Sequence, residues 1–239
     1  MADSVSGACG PLSGGLAKTG GARYAVEGGN VAEHLYTFVR PANPKHLARL
    51  VSVLEDGGVL VLPAGTNWMF ACDAASRRGM ERIRALKPEH PDDRPFSLIC
   101  DAMATVSRYA RVDGGAFRVL NRLWPGPYTV LLPASRDLPR LLKNKREVVG
   151  VRVPDEEITR EIVAFFGKPL AGTTVPLAPD GGTHTMGWAV ADAFGHGVDV
   201  VVDLGEELPG TETTIVDLLD GVPRVVRVGA GPVDGLVVG

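Results

Sequence analysis

The sequence predicts one α/β domain with α+β character: a twisted sheet of mixed parallel and antiparallel strands, flanked by helices, with a concave basic cleft. Three observations lead there. Segments with helical spacing of apolar residues alternate with short β-branched runs from Pro44 onward. Late in the chain, "VDVVVDLG", "TTIVDLL" and "RVVRVG" follow one another with no helical segment between them, which a doubly wound parallel sheet does not do. The "GAGPVDG" stretch lacks the GxGxxG spacing and has no helix after it, so it is no dinucleotide fingerprint. A chain of 239 residues suits one domain of this kind.

Residues 1–33 are rich in Gly, Ser and Ala and show no sustained period, so they are expected to form a flexible extension, with the domain spanning 34–239. In "NPKHLARLVSVLEDGG", Asn43 is the expected N-cap and Pro44 the first helical residue. Leu47, Leu50, Val51 and Leu54 form the apolar stripe, and Gly57 stops it. "GVLVL" reads as a buried strand. "LPAGTNWMFACDA" follows, and composition leaves it open between a core segment and a binding loop with an aromatic wall.

"ASRRGMERIRAL" is a basic amphipathic helix capped by Ser76, with Met80, Ile83 and Leu86 inward. "FSLIC" is a strand. "AFRVLNRL" is a short helix ended before Pro125, because the residue preceding proline avoids the helical region. "YTVLL" and "VVGVRV" are strands. "DEEITREIVAFFG" is a helix with an acidic first turn and Gly167 as its stop. "TMGWAVADAFG" is a helix, and the three late strands complete the chain.

The formal net charge of −3 excludes general binding of polyanions over the whole surface; an anionic ligand needs a local basic cleft. Cys9, Cys72 and Cys100 form no CxxC pair. So sparse a set fits a reducing cytoplasm, and Cys72 and Cys100 sit among apolar residues as expected of inert thiols. No apolar run approaches the ~18 residues of a membrane span, and the N-terminus has no signal-peptide pattern. A cytoplasmic protein without membrane partners is the expectation.

The usual catalytic engines are missing from the text of the chain: no GxxxxGK[ST] loop, no GxSxG elbow, no HExxH. Five scattered histidines give no metal site, so no metal ligands are expected. What remains is cations and hydroxyls. Lys87 and Arg94 bracket "KPEHPDDRPFS". Arg152 and Arg227 each sit in an apolar strand, "GVRVP" and "VVRVG". A guanidinium there is expensive to bury unless it meets an anion. For either arginine alone, an internal ion pair or an outward-pointing side chain explains the pattern equally well. Two such arginines and a Lys/Arg loop favour an anion-binding cleft for phosphate or carboxylate. "GTTVP" and "TETT" add paired threonines beside strands, which β-propensity alone also explains.

Taken in order, "PAGTNWMFACD", "KPEHPDDRPFSLIC", "WPGPYT", "VRVP", "GTTVP" and "TTIVDLLDGVPRVVRVG" resemble the motifs of the threonylcarbamoyl-AMP synthase family of the YrdC type, and most closely its YciO-like branch. The resemblance runs from about Leu35 to Gly231, and "WPGPYTVLL" followed by "GVRVP" is its most specific part. It implies a YrdC-like domain. It also implies an activity: L-threonine, bicarbonate and ATP give threonylcarbamoyl-AMP and pyrophosphate, for threonylcarbamoyladenosine modification of tRNA. ATP would come with Mg2+ as substrate, and no tightly bound cofactor is implied.

By motif position the resemblance assigns Lys87 and Arg94 as catalytic cations. It assigns Thr66, Trp68, Ser97, Arg152, Thr173, Thr174 and Arg227 to substrate or nucleotide binding, with Thr66 and Trp68 facing ligand. The chain departs from the pattern at defined places. Ala64-Gly65 replace a Thr-Asp pair, Met69 replaces a glycine, and Glu89 stands where the family has the arginine of KxR. Arg94 replaces a lysine, and Val175-Pro176 follow Thr173-Thr174 where a Ser-Ala-Asn turn belongs. The resemblance therefore implies weak or altered activity. It also leaves two alternatives: a protein that binds tRNA or double-stranded RNA through Arg77, Arg78, Arg82, Arg84, Lys87, Lys143, Lys145 and Arg146, or a hydrolase of the adenylate.

Overall fold

The computed structural model describes residues 32–37, 40–91 and 94–238. Most of the expected N-terminal extension, residues 1–31, lies outside the described residues. Ala32 and Glu33 already belong to the domain: the Ala32 N–H donates to the Gly195 carbonyl at 3.1 Å, and Glu33 opens the first strand.

Among the described residues, eleven strands form one sheet. In chain order they are β1 (Glu33–Tyr36), β2 (Leu60–Pro63), β3 (Trp68–Asp73), β4 (Ser97–Ile99), β5 (Tyr128–Pro133), β6 (Val148–Arg152), β7 (Leu170–Thr174), β8 (Val200–Asp203), β9 (Thr214–Asp217), β10 (Arg224–Arg227) and β11 (Val237–Val238). Their spatial order is β1-β8-β2-β3-β7-β4-β6-β5-β9-β10-β11. β8 lies parallel between β1 and β2, β4–β6 and β5–β9 are parallel, and β3 and β7 run antiparallel to each neighbour. The mixed sheet expected from consecutive late strands is what forms.

Among the described residues, six α-helices flank it: α1 (Pro44–Glu55), α2 (Arg77–Leu86), α3 (Met103–Tyr109), α4 (Gly114–Leu123), α5 (Glu157–Phe166) and α6 (Gly187–Phe194). The caps are those the sequence names. Asn43 Oδ1 accepts from the Lys45 N–H at 2.9 Å, and Ser76 Oγ from the Gly79 N–H at 3.0 Å. Gly167 ends α5 in the left-handed conformation that a Cβ disfavours. Among the described residues, no helix is long and apolar enough to cross a membrane.

Strand alternation sends successive side chains to opposite faces, and each face has its own core. On one, Trp68, Phe70, Cys72, Leu98, Val130 and Val151 pack with residues of α2, α3, α4 and α6. On the other, Leu60, Leu62, Met69, Ile99 and Leu170 pack beneath α1 and α5. Those two helices cover the β1, β8, β2 and β3 part of their face and reach Leu170 of β7 and Ile99 of β4. Further along, Thr129, Leu131, Gly150, Ile215 and Asp217 are half-exposed on the same side. An uncovered sheet face is thus produced by helix placement.

α5 also anchors the turn between β2 and β3. The fully buried Thr159 hydroxyl donates to the Pro63 carbonyl at 2.6 Å. Replacing Thr159 by valine keeps the volume and strands that carbonyl, so stability should fall by about 1–3 kcal/mol. Urea unfolding checks it, and an unchanged midpoint would show that the bond contributes nothing net.

Candidate functional site

The β2–β3 turn is the pivot of the site. Gly65 has φ 77°, and a Cβ there would overlap the Asp155 carboxylate, so only glycine fits both the backbone and the space. Thr66 and Asn67 are buried, not displayed. Arg152, at the end of β6, is 6% exposed, and its Nη2 donates to the Ala64 carbonyl and to Thr66 Oγ1, the latter at 2.9 Å. Burial pulls this guanidinium down to about 10, opposed by Asp155, and it stays charged at neutral pH. Its Nε has no acceptor among the described residues.

Thr66 also accepts, through its carbonyl, the Thr211 N–H at 3.0 Å. That contact lays the segment 208–213 across the turn. The Leu208 N–H donates to the Thr185 carbonyl, which also receives the Trp68 indole N–H at 3.1 Å. Glu212 Oε1 then accepts from Arg227 Nη1 at 2.8 Å, while Arg227 Nη2 donates to the Thr213 carbonyl at 2.9 Å. Arg227 Nε, like that of Arg152, is buried without an acceptor among the described residues. Thr213 Oγ1 meets Thr129 Oγ1 at 2.9 Å.

Lys87 caps α2 and its Nζ donates to the Thr174 carbonyl at 2.6 Å. Burial lowers its pKa, and Glu89 and Glu212 oppose the shift. Glu212, paired with Arg227, therefore also acts electrostatically on Lys87. His90 lies beside Lys87: its Nε2 contacts the Arg94 carbonyl at 2.9 Å and its ring tilts against Phe96. Burial lowers the His90 pKa; Lys87, Arg84 and Arg94 add to the effect, while the Arg94 carbonyl opposes it. Arg94 is itself exposed.

Ser97, Gly150 and Thr129 line up on the uncovered face. A Cβ on Gly150 would stand 3.7 Å from Ser97 Oγ and 3.6 Å from Thr129 Cγ2, ordinary contacts, so nothing in the protein itself requires glycine there. The glycine keeps the floor low between two hydroxyls. Thr174 shares this face by register, being two residues from Gly172, the partner of Ser97.

The structure thus brings Lys87, Thr174, Arg227, Thr66 and Arg152 around the segment 211–213, with Ser97 on the adjoining face. Arg94 reaches only the rim, near His90. Three expectations need correction. Thr66, expected to face ligand, is buried against Arg152. Trp68 does not face a ligand: it is fully buried with its indole N–H bonded to a carbonyl, because β3 turns this side chain into the helix-covered core. Thr173, paired with Phe70, points to the face opposite Thr174, since neighbouring strand residues cannot share one. The core return expected of Met69–Cys72 is observed.

Sequence reasoning missed Glu212, Asp155 and Thr129. The signal for Glu212 was its place in "TETT": a carboxylate before a strand that pairs with the one carrying Arg227. Among the described residues, no three His, Cys, Asp or Glu side chains gather to hold a metal ion.

Comparison with known proteins gives a consistent picture. The family model Sua5_yciO_yrdC, described as "Telomere recombination", matches residues 52–229. The chain is 32% identical over 201 residues to "Uncharacterized protein YciO" of Escherichia coli K12, covering 83% of this chain and 97% of that protein. The crystal structure of E. coli YciO superposes with a TM-score of 0.78 at 30% identity, over 85% of this chain and 98% of the other. Identity is 26% over 182 residues with "Threonylcarbamoyl-AMP synthase" of Pyrococcus abyssi, covering 76% of this chain and 53% of that protein. The crystal structure of P. abyssi Sua5 complexed with L-threonine superposes with a TM-score of 0.73 at 25% identity, over 84% of this chain and 58% of the other.

Two outcomes follow from the geometry. Thr66→Val removes an acceptor from a buried guanidinium and should cost about 1–3 kcal/mol in urea unfolding; an unchanged midpoint would mean Arg152 does not depend on that hydroxyl. Burial makes folded Lys87 hold its proton less tightly than the unfolded chain does. Its contribution to stability must then rise with pH in the window just below 10.5. Wild type should gain stability relative to Lys87→Met between pH 8 and pH 10, and a constant difference contradicts the assignment.

Proposed function

The chain belongs to the Sua5/YciO/YrdC family, and from that premise we propose that it binds ATP and a small amino acid, L-threonine first among them, and couples them through bicarbonate. The threonine amine adds to bicarbonate-derived carbon dioxide to give a carbamate. A carbamate oxygen attacks the α-phosphorus of ATP, the bond to the β-phosphate oxygen breaks, and pyrophosphate leaves. Threonylcarbamoyl-AMP is the product, destined for transfer to tRNA in the cytoplasm.

One observation carries the reading: two guanidinium groups, those of Arg152 and Arg227, flank one segment, and each keeps a buried Nε without an acceptor among the described residues. Buried cationic donors are costly unless an anion meets them. The chemistry asks for positioning and charge neutralisation rather than an acid, base or nucleophile, which suits a face furnished with cations and hydroxyls. Lys87, Arg227 and Ser97 would hold phosphates or the carbamate, and Arg94 would reach them from the rim. Thr174 would border the same ligand. Thr66 acts one step back, by fixing Arg152. Mg2+ would travel with the triphosphate. The threonine complex of P. abyssi Sua5 supports an amino acid as co-substrate.

Glu89 weakens the match, since an anion at a phosphate-binding position adds repulsion. Glu89→Arg should therefore tighten MgATP and raise pyrophosphate release with threonine and bicarbonate. Titration calorimetry with ATP, with and without threonine, and a pyrophosphate assay test this together. No ATP binding by either protein would refute the proposal.

A further inference from the structure

We propose that Glu212 is an internal anion that a ligand phosphate must displace, and so is a specificity-determining residue of the site. The inference rests on the reading of this face as an anion site. Glu212 is paired with one half-buried cation and acts on a second: it accepts from Arg227 Nη1 at 2.8 Å, and its charge is felt at Lys87. The third cation, Arg152, is faced by Asp155. Lys87, Arg152 and Arg227 are thus matched by Glu89, Glu212 and Asp155, so this part of the site is close to charge-neutral as it stands. A highly charged ligand meets full attraction only after a carboxylate moves away.

The geometry allows that movement. The Glu212 side chain is 63% exposed and its partner 38%, so the pair is weakly held against water. Its backbone is fixed on both sides: the Thr211 N–H donates to the Thr66 carbonyl at 3.0 Å, and the Glu212 carbonyl accepts from the Ala230 N–H at 2.8 Å. Only the side chain has to swing. Arg227 does not follow it, because Nη2 stays bonded to the Thr213 carbonyl. Departure of the carboxylate therefore leaves a guanidinium already aimed, with Nη1 freed for an oxyanion.

The consequence is a charge filter. Like charges brought together are repelled in proportion to both, so Glu212 should penalise pyrophosphate most, AMP less and adenosine not at all. The test is calorimetric titration of the full chain and of Glu212→Gln with pyrophosphate, AMP and adenosine. Glu212→Gln is expected to bind pyrophosphate about tenfold more tightly, AMP by a smaller factor, and adenosine unchanged. Glu212→Asp keeps the charge on a shorter stem and should remain close to wild type for pyrophosphate. Thermal unfolding of each variant accompanies the titrations. A uniform change for all three ligands would mark a structural role and overturn the inference. Equal pyrophosphate affinity in wild type and Glu212→Gln overturns it alone. Binding of neither phosphate ligand by either protein overturns it together with the anion-site reading.

Discussion

The buried guanidinium of Arg152 is the constraint on which the rest of the site depends. It arrives at the end of β6, between two valines, and makes two donor contacts to the turn between β2 and β3. That ties together two strands that the sheet order separates by β3, β7 and β4. The turn, once fixed, offers the Thr66 carbonyl to Thr211 and so sets the course of the segment leading to Glu212 and Arg227. A charge that water would have solvated is kept in the interior by carbonyl and hydroxyl oxygens and by the charge of Asp155. Positional accuracy at the site thus comes from an electrostatic cost that only one arrangement of the turn relieves.

Much of the fold was legible because it is written in short-range rules. Asn43-Pro44, Ser76 and Gly167 mark helix ends by their own hydrogen bonding and backbone freedom. The late strands show as β-branched runs. β1 and α3 were missed for a physical reason: each is short, and Ala102 offers no capping side chain. β3 was half-seen, because a run of large residues looks the same whether it lines a pocket or fills a core. Only its pairing with β2 and β7 decides that Trp68 is buried.

The candidate site was legible in part. An arginine isolated among valines is a strong local signal, and Arg152 and Arg227 do share one neighbourhood. The motif resemblance placed Lys87 and Thr174 beside them. What the chain could not disclose was which carboxylates answer those cations. Glu212 lies 15 residues before Arg227 with a turn and two strands involved, Asp155 follows Arg152 just past the end of its strand, and a charge on a loop carries no periodic mark. Thr173 and Thr174 show a related limit: adjacent hydroxyls look like one cluster on paper and occupy two faces in a sheet.

The course of the segment 208–213 has an evolutionary corollary. It is held by main-chain contacts at Leu208, Thr211 and Glu212, by the buried Leu208 side chain and by the Thr213 hydroxyl on Thr129, while the Glu212 side chain is largely exposed. Residue identity at position 212 is therefore nearly uncoupled from the folding of the domain. Selection can alter the charge preference of this face by a single codon change while the scaffold beneath stays the same. Relatives built on one sheet could thus diverge in ligand without passing through unstable intermediates.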